Sequence, residues 1–271
     1  MSRLLDYLVQ QLSRSRRATR LAALVRNQAD RVVQRHFAGV FPAASSADRV
    51  YLRALGPAIG SFVDVGANRG DWAAQVLEAA PGARGVLFEP GGAARAEAEA
   101  RLGELVSVRG EALSSAPGEE TFHEGLEVSR SSSFLAGLVV GRSREVRVQV
   151  TTLDQVLDEL GWSDVLCKVD CEGWDLDVLR GARRSLEAGR IGAIQFEYNS
   201  HWKARGATLH AAHGLLESAG YELRLLTPEG LVALPVGRYA EYFSYSNYLA
   251  LRRGSEMERL ARSIELGTAG Y

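Results

Sequence analysis

Four polar residues follow two apolar runs in the second half of the chain, and their types are those that proteins use for proton transfer. Asp170 and Glu172 follow one run, and Glu197 and His201 stand four residues apart at the end of the other. Histidine has the ordinary pKa best suited to a general base, and Glu197 could orient the ring or act in its place. A histidine after a strand is nevertheless more often a surface or hydrogen-bonded structural residue. Asp170 and Glu172 could also simply cap the helix predicted to begin near Trp174.

A second group of residues could bind a ligand at a glycine turn. The segment from Ser61 to Asp71 reads Ser-Phe-Val-Asp-Val-Gly-Ala-Asn-Arg-Gly-Asp. Its apolar, β-branched start predicts a short strand, and its two glycines predict a tight turn. Asp71 is a suitable N-cap, and the apolar spacing up to Pro81 predicts a helix. A strand, a turn and a helix in this order place free backbone N–H groups at the carboxyl edge of a sheet, where α/β proteins bind ligands.

The residues inside this turn favour a cationic ligand over a dinucleotide. A dinucleotide fingerprint needs a second glycine where Asn68 stands, because the backbone must approach a pyrophosphate closely. Asp64 would repel a phosphate and attract an ammonium group. Glu89 ends the next apolar run, 25 positions after Asp64, which is near the spacing at which a carboxylate meets ribose hydroxyls. S-adenosylmethionine has an ammonium, a sulfonium and no phosphate, so it fits these residues.

Several segments together also carry a resemblance to a known family. They are Phe62–Gly70, Phe88–Pro90, Val150–Asp154, Lys168–Gly173 and Leu179–Gly181. The chain resembles the FkbM-type S-adenosylmethionine-dependent methyltransferases over residues 48–252, and the Lys-x-Asp-x-Glu-Gly element is the most specific part. The resemblance implies O-methylation of a small acceptor, with a sugar or polyketide-type hydroxyl as the substrate class.

The expected site follows from the residues and from this resemblance. The predicted cofactor contacts are Asp64, Gly66, Ala67, Asn68, Gly70, Glu89, Pro90, Glu111, Ala112 and Asp170. The predicted catalytic residues are Asp170, Glu172, Glu197 and His201, with Tyr198, Asn199 and Trp202 in range of the acceptor. Glu111 could equally be a solvated loop acid. In the family a serine-rich loop lies near the active site, which gives weak support to Ser132 and Ser133.

Two further expectations concern charge and metals at this site. Lys168 lies two positions before Asp170, so it should point to the same face and pair with a carboxylate there. Asp170, Glu172 and Glu197 could hold magnesium through oxygen ligands and so lower the pKa of the acceptor hydroxyl. The sequence shows no dedicated ligand cage, and a metal-independent reaction is predicted.

Alternating strands and helices would position these residues. Strands are predicted at 62–65, 86–90, 105–108, 165–170, 191–197, 221–226 and 245–251. This order predicts an α/β fold of the class I methyltransferase (Rossmann-like) type, with a doubly wound, mostly parallel seven-stranded sheet, an antiparallel C-terminal hairpin and an N-terminal helical arm. The predicted parts are the arm and linker at 1–47, the methyltransferase domain at 48–254, an antiparallel insertion at 114–150 within it, and a tail at 255–271.

Composition limits the remaining functions. The 271 residues are 46% hydrophobic and 24% charged, which is ordinary for a soluble globular protein. Residues 1–50 hold nine Arg and three Asp, and an apolar stripe in this arm is expected to pack on the domain or to form a homo-oligomer. A small-molecule substrate is expected, with no nucleic acid and no stable membrane insertion. Two cysteines and no apparent signal peptide predict a cytoplasmic protein.

Two alternatives to a methyltransferase stay open at this point. The first is a nicotinamide-dependent oxidoreductase, which Asn68 and the missing glycine disfavour. The second is a cofactor-binding module that has kept the fold and lost catalysis.

Overall fold

The computed structural model describes residues 44–125, 143–233, 241 and 245–266, together with isolated residues between 12 and 25. The helices in these ranges are α1 Ala44–Leu55, α2 Asp71–Ala79, α3 Gly92–Leu102, α4 Leu153–Leu160, α5 Asp175–Arg180, α6 Arg183–Glu187, α7 His201–Ala204, α8 Leu209–Ser218 and α9 Glu256–Ala261. The strands are β1 Ser61–Val65, β2 Arg84–Phe88, β3 Ser107–Arg109, β4 Ala112–Leu113, β5 Gly118–Gly125, β6 Ser143–Thr151, β7 Val165–Val169, β8 Ile191–Tyr198, β9 Tyr221–Thr227, β10 Gly230–Val232, β11 Ser246–Arg252 and β12 Glu265–Leu266. Short 3₁₀ helices occupy Gly56–Ala58 and Arg262–Ile264.

The main sheet has nine strands in the order β12-β10-β9-β11-β8-β7-β1-β2-β3. Five neighbouring strands of this sheet, β8, β7, β1, β2 and β3, are parallel to one another. By contrast, β11 runs antiparallel between β8 and β9. The predicted α/β fold is confirmed, and so is the antiparallel pair near the C-terminus. The predicted count of seven strands is wrong, because β10 and β12 extend the sheet beyond β9. The sheet is therefore mixed.

Helices cover both faces of this sheet. Successive residues of a strand point to opposite faces, so Val63 and Val65 pack with α4 to α8, whereas Phe62 packs with α1, α2, α3 and α9. Burial on both sides explains why the central strands are apolar along almost their whole length. Only a polar side chain with a partner or a function is tolerated at such positions, and several of those are described below.

A second, three-stranded sheet has the order β4-β6-β5. β5 and β6 form the antiparallel pair expected in this region, and β4 adds to β6 in parallel. The predicted serine loop at 129–134, with Ser132 and Ser133, lies outside the described residues. The small sheet matters for the site because Ala112 and Phe122 bring it against the carboxyl edge of the main sheet.

The described residues near the two ends of the chain form regular elements within the expected linker and tail. Residues 256–266 form α9, a 3₁₀ turn and β12, with Met257 and Ala261 fully buried, so this part is integrated into the domain. The sequence pattern gave no sign of this because each element is short. At the other end, α1 begins at Ala44, inside the predicted linker. Most of the arm lies outside the described residues, and its role in oligomerisation stays a prediction. No helix within the described ranges has both the length and the apolar character needed to cross a bilayer.

Candidate functional site

The turn after β1 has its backbone N–H groups occupied. The amides of Gly66 and Ala67 both donate to the carbonyl oxygen of Phe88, at 2.9 and 3.0 Å, and that of Gly70 donates to Ala67. The amide of Asn68 donates to a side chain of the next strand end. The expectation of free N–H groups is therefore wrong for these four residues, because the turn uses them to join β1 to β2.

Glycine is required in this turn by space as well as by conformation. Gly66 has a φ of +80°, and a Cβ at this position would lie 2.0 Å from the carbonyl oxygen of Asp170. Gly70, with a φ of +78°, is the residue that caps α2. Asp71 is thus the first helical residue and not the predicted N-cap, although an acid there still favours the positive end of the helix dipole. Its carboxylate binds Arg101 at 2.8 Å.

Glu89 is held at the end of β2 by two backbone donors. Its Oε2 accepts from the amide of Asn68 at 2.8 Å, and its Oε1 accepts from that of Gly91 at 2.7 Å. Burial raises the pKa of Glu89, and the two backbone hydrogen bonds partly oppose this increase. Arg95 donates to the carbonyl oxygens of Glu89 and Pro90 and so fixes the same loop. A carboxylate has about four acceptor positions, so Glu89 keeps capacity for hydroxyl donors from a ligand.

A cleft lies at the carboxyl ends of β1, β2 and β7. It encloses about 740 Å³ of free space, part of it open to solvent. The residues that line it are Val65, Gly66, Asn68, Phe88, Glu89, Pro90, Ala94, Glu111, Ala112, Leu113, Phe122, Asp170, Cys171 and Glu172. The structure therefore brings together most of the predicted contact residues, including Glu111, in one wall. The predicted contact residues Asp64, Ala67 and Gly70 are not among the residues that line the cleft, and neither are Glu197 and His201.

Asp64 is a buried carboxylate without a hydrogen-bond partner. Its side chain has no exposure, and neither oxygen meets a donor. Burial raises the pKa of Asp64 from 3.8 to about 7, with Lys168 lowering it and Asp170, Glu89 and Asp48 raising it further. Direct contact between Asp64 and a ligand stays a prediction.

The loop after β7 presents Asp170 and Glu172 to the cleft. Lys168 Nζ lies 2.9 Å from Asp170 Oδ2, which is the carboxylate pairing expected from the sequence. Asp175 holds this loop together: its carboxylate accepts hydrogen bonds from the backbone N–H groups of Cys171, at 3.4 Å, and Gly173, at 3.1 Å. The alternative capping role for Asp170 and Glu172 is therefore wrong, and their side chains are left for the cleft.

His201 contacts Glu172, whereas Glu197 is engaged elsewhere. His201 Nδ1 lies 2.8 Å from Glu172 Oε2, at ion-pair distance but without hydrogen-bond geometry at the ring. Glu197 Oε1 accepts from the amide group of Asn199, whose Oδ1 in turn accepts from the backbone N–H of His201 at 2.8 Å. Glu197 thus holds the backbone of His201 through Asn199 and does not orient its ring as expected. Trp202 donates to the Glu197 carbonyl and packs in the core.

Carboxylates dominate the electrostatics of this edge. Burial, and then the charge of Asp170, raises the pKa of Glu172, while His201 opposes the shift. Burial followed by Asp170, Glu172 and Asp175 raises the pKa of Glu197 well above its ordinary value. Adding a cation would stabilise the ionised carboxylates, so the edge is suited to a positively charged ligand.

Sequence reasoning missed a polar group that α1 contributes behind the cleft. Gln195, on β8, donates to Asp48 Oδ1 at 2.9 Å and accepts from the Tyr51 hydroxyl. The hydroxyl of Tyr51 also accepts from Trp72 Nε1 at 2.8 Å. The available signals were a glutamine inside an otherwise apolar strand and an acid on the buried face of a helix.

Metal binding receives no geometric support within the described ranges. There, no three His, Cys, Asp or Glu side chains converge as a metal ion requires. The predicted metal independence stays a prediction.

Comparisons with known proteins identify similar sequences and folds. The family model described as "Methyltransferase FkbM domain" matches residues 64–223, more than half of the chain. The AMB antimetabolite synthetase AmbE of Pseudomonas aeruginosa is 29% identical over 250 residues, covering 76% of this chain and 11% of that much longer protein. Among solved structures, a methyltransferase FkbM from Methylobacillus flagellatus KT aligns with a TM-score of 0.43 and 16% identity, over 71% of this chain and 44% of that one. An O-methyltransferase from Bacillus cereus in complex with SAH aligns with a TM-score of 0.42 and 9% identity, over 82% and 86% of the two chains.

Proposed function

Since the chain belongs to the methyltransferase FkbM domain family, we propose that it is an S-adenosylmethionine-dependent O-methyltransferase of a small hydroxylated acceptor. The observation that carries the proposal is the cleft at the carboxyl edge of β1, β2 and β7, with Glu89, Asp170 and Glu172 in its wall. Ligands of open α/β sheets bind at this edge. The charged residues that line this cleft are all acidic, which favours a ligand with positive charge.

The residues present fit the proposed cofactor. Glu89 has acceptor capacity for ribose hydroxyls, and Glu111 and Ala112, which line the cleft, would contact the base as the family resemblance implies. Asp170 and Glu172 would face the amino-acid end with its ammonium group. Asp64 does not line the cleft, so contact between Asp64 and the cofactor would need the ligand to reach beyond the lining residues.

The occupied turn amides argue against a dinucleotide. A diphosphate is bound by free N–H groups at a glycine turn, and here the amides of Gly66, Ala67, Asn68 and Gly70 are already bonded within the chain. A diphosphate would also meet the carboxylates of the cleft. The nicotinamide-dependent alternative is therefore disfavoured by hydrogen bonding and by charge.

The proposed chemistry requires proton removal from the acceptor. When bound, S-adenosylmethionine would supply the methyl group of its sulfonium to the acceptor oxygen and leave as S-adenosylhomocysteine. The hydroxyl proton goes to His201 Nε2, because Nδ1 faces Glu172. Glu172 then stabilises the positive charge on the ring, and its contact is expected to tighten when a substrate is bound. Glu197 acts through Asn199 by fixing the backbone on which His201 stands.

The acceptor class rests on the family and on one relative. Sugar or polyketide-type hydroxyls are the acceptors that the family resemblance implies. The relative named as an antimetabolite synthetase supports a place in secondary metabolism, since a similar segment occupies 11% of that protein. A binding module without activity is the second candidate, and turnover separates the two.

The test is a labelled-methyl assay with a panel of glycosides and polyketide-type alcohols. Product should form in the wild type and fall about 100-fold in His201→Ala, because a general base contributes that order of magnitude. The affinity for S-adenosylhomocysteine should change less than about twofold. His213→Ala is the matched control, since His213 also faces a glutamate, Glu217, but lies on α8. Normal turnover in His201→Ala would remove it as the base, and absence of product with every acceptor despite tight cofactor binding would favour the binding module.

A further inference from the structure

A row of polar side chains crosses the buried face of the central sheet, directly behind the cleft. Asp64 on β1, Lys168 on β7 and Gln195 on β8 are paired in register, so their side chains point to the same face. Helix α1 covers this face, and its Asp48 and Tyr51 are bonded to Gln195. On the same face, neighbouring positions of these strands are apolar, among them Phe62, Leu166 and Ala193.

Lys168 is the cation among the carboxylates of this row. Its side chain is 12% exposed, and its ammonium is bonded to Asp170 with Asp64 and Asp48 nearby. Although burial opposes the charge, Asp170, Asp64 and Asp48 together raise the pKa of Lys168 above its ordinary value. The ammonium is therefore protonated at neutral pH, and it offsets part of the negative charge.

The choice of lysine at this position is unusual for the chain. The sequence contains two lysines, Lys168 and Lys203, and 30 arginines. An ammonium is a compact point charge, whereas a guanidinium is a broad planar fork. The compact group reaches from the sheet face to the Asp170 carboxylate at the cleft wall, at 2.9 Å.

We propose that Lys168 is a positioning residue that acts through Asp170, holding its carboxylate at the cleft wall to bind the cationic amino-acid end of the cofactor. This inference rests on the proposed function, because it assumes that S-adenosylmethionine occupies the cleft. Asp170 would provide the contact with the ligand, and the ammonium of Lys168 is bonded to Asp170. Asp48 and Asp64 compete for the same ammonium, so the charge of the whole row affects how Asp170 is held.

The pH dependence of binding follows from the groups that face this row. They are Asp48 and Tyr51 from α1, Asp64 from β1, Glu89 from the end of β2, Glu172 from the loop after β7, Asp175 from the start of α5, and Glu197 from β8. Lys168 lowers the pKa values of Asp48, Asp64 and Glu172 from what burial alone would produce. Removing the ammonium should therefore shift their ionisation to higher pH, and a cationic ligand would bind only after that ionisation.

The experiment compares two ligands that differ in the amino-acid end. S-adenosylhomocysteine carries the ammonium and carboxylate, whereas 5′-methylthioadenosine keeps the adenosine and lacks both. Calorimetric titration of Lys168→Met at pH 7 should give about a tenfold loss of affinity for S-adenosylhomocysteine, the size of one charge-assisted hydrogen bond. The affinity for 5′-methylthioadenosine should stay within about twofold. Between pH 6 and 8.5, the midpoint of S-adenosylhomocysteine binding should move upward in the variant.

Control variants separate positioning from a structural role. Lys203→Met makes the same change at an exposed site on α7 and should alter neither affinity. In the Asp170→Asn background, Lys168→Met should add little further loss, because the lysine acts through Asp170. If Lys168→Met does not fold, Lys168→Gln keeps a polar side chain without charge and serves in the same titrations.

Specific outcomes would overturn the inference. Equal losses for both ligands, or full additivity with Asp170→Asn, would show that Lys168 only supports the fold. The inference would also fail if Lys168→Met left two quantities unchanged: the ratio of the affinities for S-adenosylhomocysteine and 5′-methylthioadenosine, and the pH midpoint of S-adenosylhomocysteine binding. If the wild type bound neither ligand, the proposed function itself would fail, and that result differs from normal wild-type binding with an insensitive variant.

Discussion

Asp64→Asn should make the unliganded protein more stable at neutral and alkaline pH. Asp64 is fully buried, has no hydrogen-bond partner, and has a pKa raised from 3.8 to about 7 by burial. A raised pKa in the folded state means that the folded protein holds this proton more tightly than the unfolded chain. The carboxyl therefore costs stability as pH rises from about 4 to 7, and the full cost is present above pH 7.

The magnitude follows from how much more tightly the folded protein holds this proton. Each tenfold increase in proton affinity corresponds to about 1.4 kcal/mol, so a pKa raised from 3.8 to about 7 corresponds to about 4 kcal/mol. The difference in free energy of unfolding between Asp64→Asn and the wild type should grow by about this amount between pH 4 and pH 8. Urea denaturation at several pH values, followed by circular dichroism, measures it.

A matched control keeps the interpretation specific to burial. Asp71→Asn makes the same substitution at an exposed site that pairs with Arg101. Its difference from the wild type in free energy of unfolding should grow by less than about 1 kcal/mol between pH 4 and pH 8. If the Asp64→Asn difference stayed flat from pH 4 to 8, Asp64 would not be a buried carboxyl of raised pKa. Asp64→Asn should also bind S-adenosylhomocysteine more weakly than the wild type. That result would show that the buried carboxylate of Asp64 contributes to ligand binding although it lowers stability.

Two more substitutions test the cleft. Gly66→Ala should lower the free energy of unfolding by at least about 2 kcal/mol. Alanine would have to adopt a positive φ, and its Cβ would lie 2.0 Å from the carbonyl oxygen of Asp170. A melting temperature equal to that of the wild type would contradict this close approach. Glu89→Gln should weaken S-adenosylhomocysteine and 5′-methylthioadenosine alike by about tenfold, because both carry the ribose. Glu104→Gln, at an exposed position after α3, is its control; loss of only one ligand's affinity would place Glu89 away from the ribose.

The sequence identifies the parallel half of the sheet because local patterns there are strong. β1, β2, β7 and β8 are largely apolar runs, the first three followed directly by glycine or an acid, and each was expected close to its observed position. The third strand was placed at 105–108, but β3 is Ser107–Arg109 and Leu105 is exposed. A single apolar residue in a turn was enough to shift that boundary. β10 and β12 were missed because strands of two or three residues carry no periodicity.

The sequence predicted which residues form the candidate site better than it predicted which of them contact each other. Glu89 and Asp170 could be expected at strand ends, since strand order alone brings such ends together. The pairing of His201 with Glu172 could not, because it depends on the positive φ of Glu172 and on the contact of Gly173 with the backbone of His201. Sequence spacing had favoured Glu197 for this role.

The buried row behind the cleft shows the same limit. Lys168 and Asp170 were expected on one face because they are two residues apart on a strand. The contribution of Asp48 depends on how α1 crosses the sheet, which no local pattern encodes. A polar residue inside a buried strand, such as Gln195, is the sequence signal that would have pointed to a partner on the covering helix.

The central claim is that the cleft binds the adenosine of S-adenosylmethionine with Glu89 on the ribose and Asp170 toward the amino-acid end. A crystal structure of the protein with S-adenosylhomocysteine tests it most directly. We predict that the ribose hydroxyls donate to Glu89 and that the ligand ammonium faces Asp170. Adenosine bound elsewhere, or Glu89 bonded only to Asn68 and Gly91 in the complex, would contradict the account.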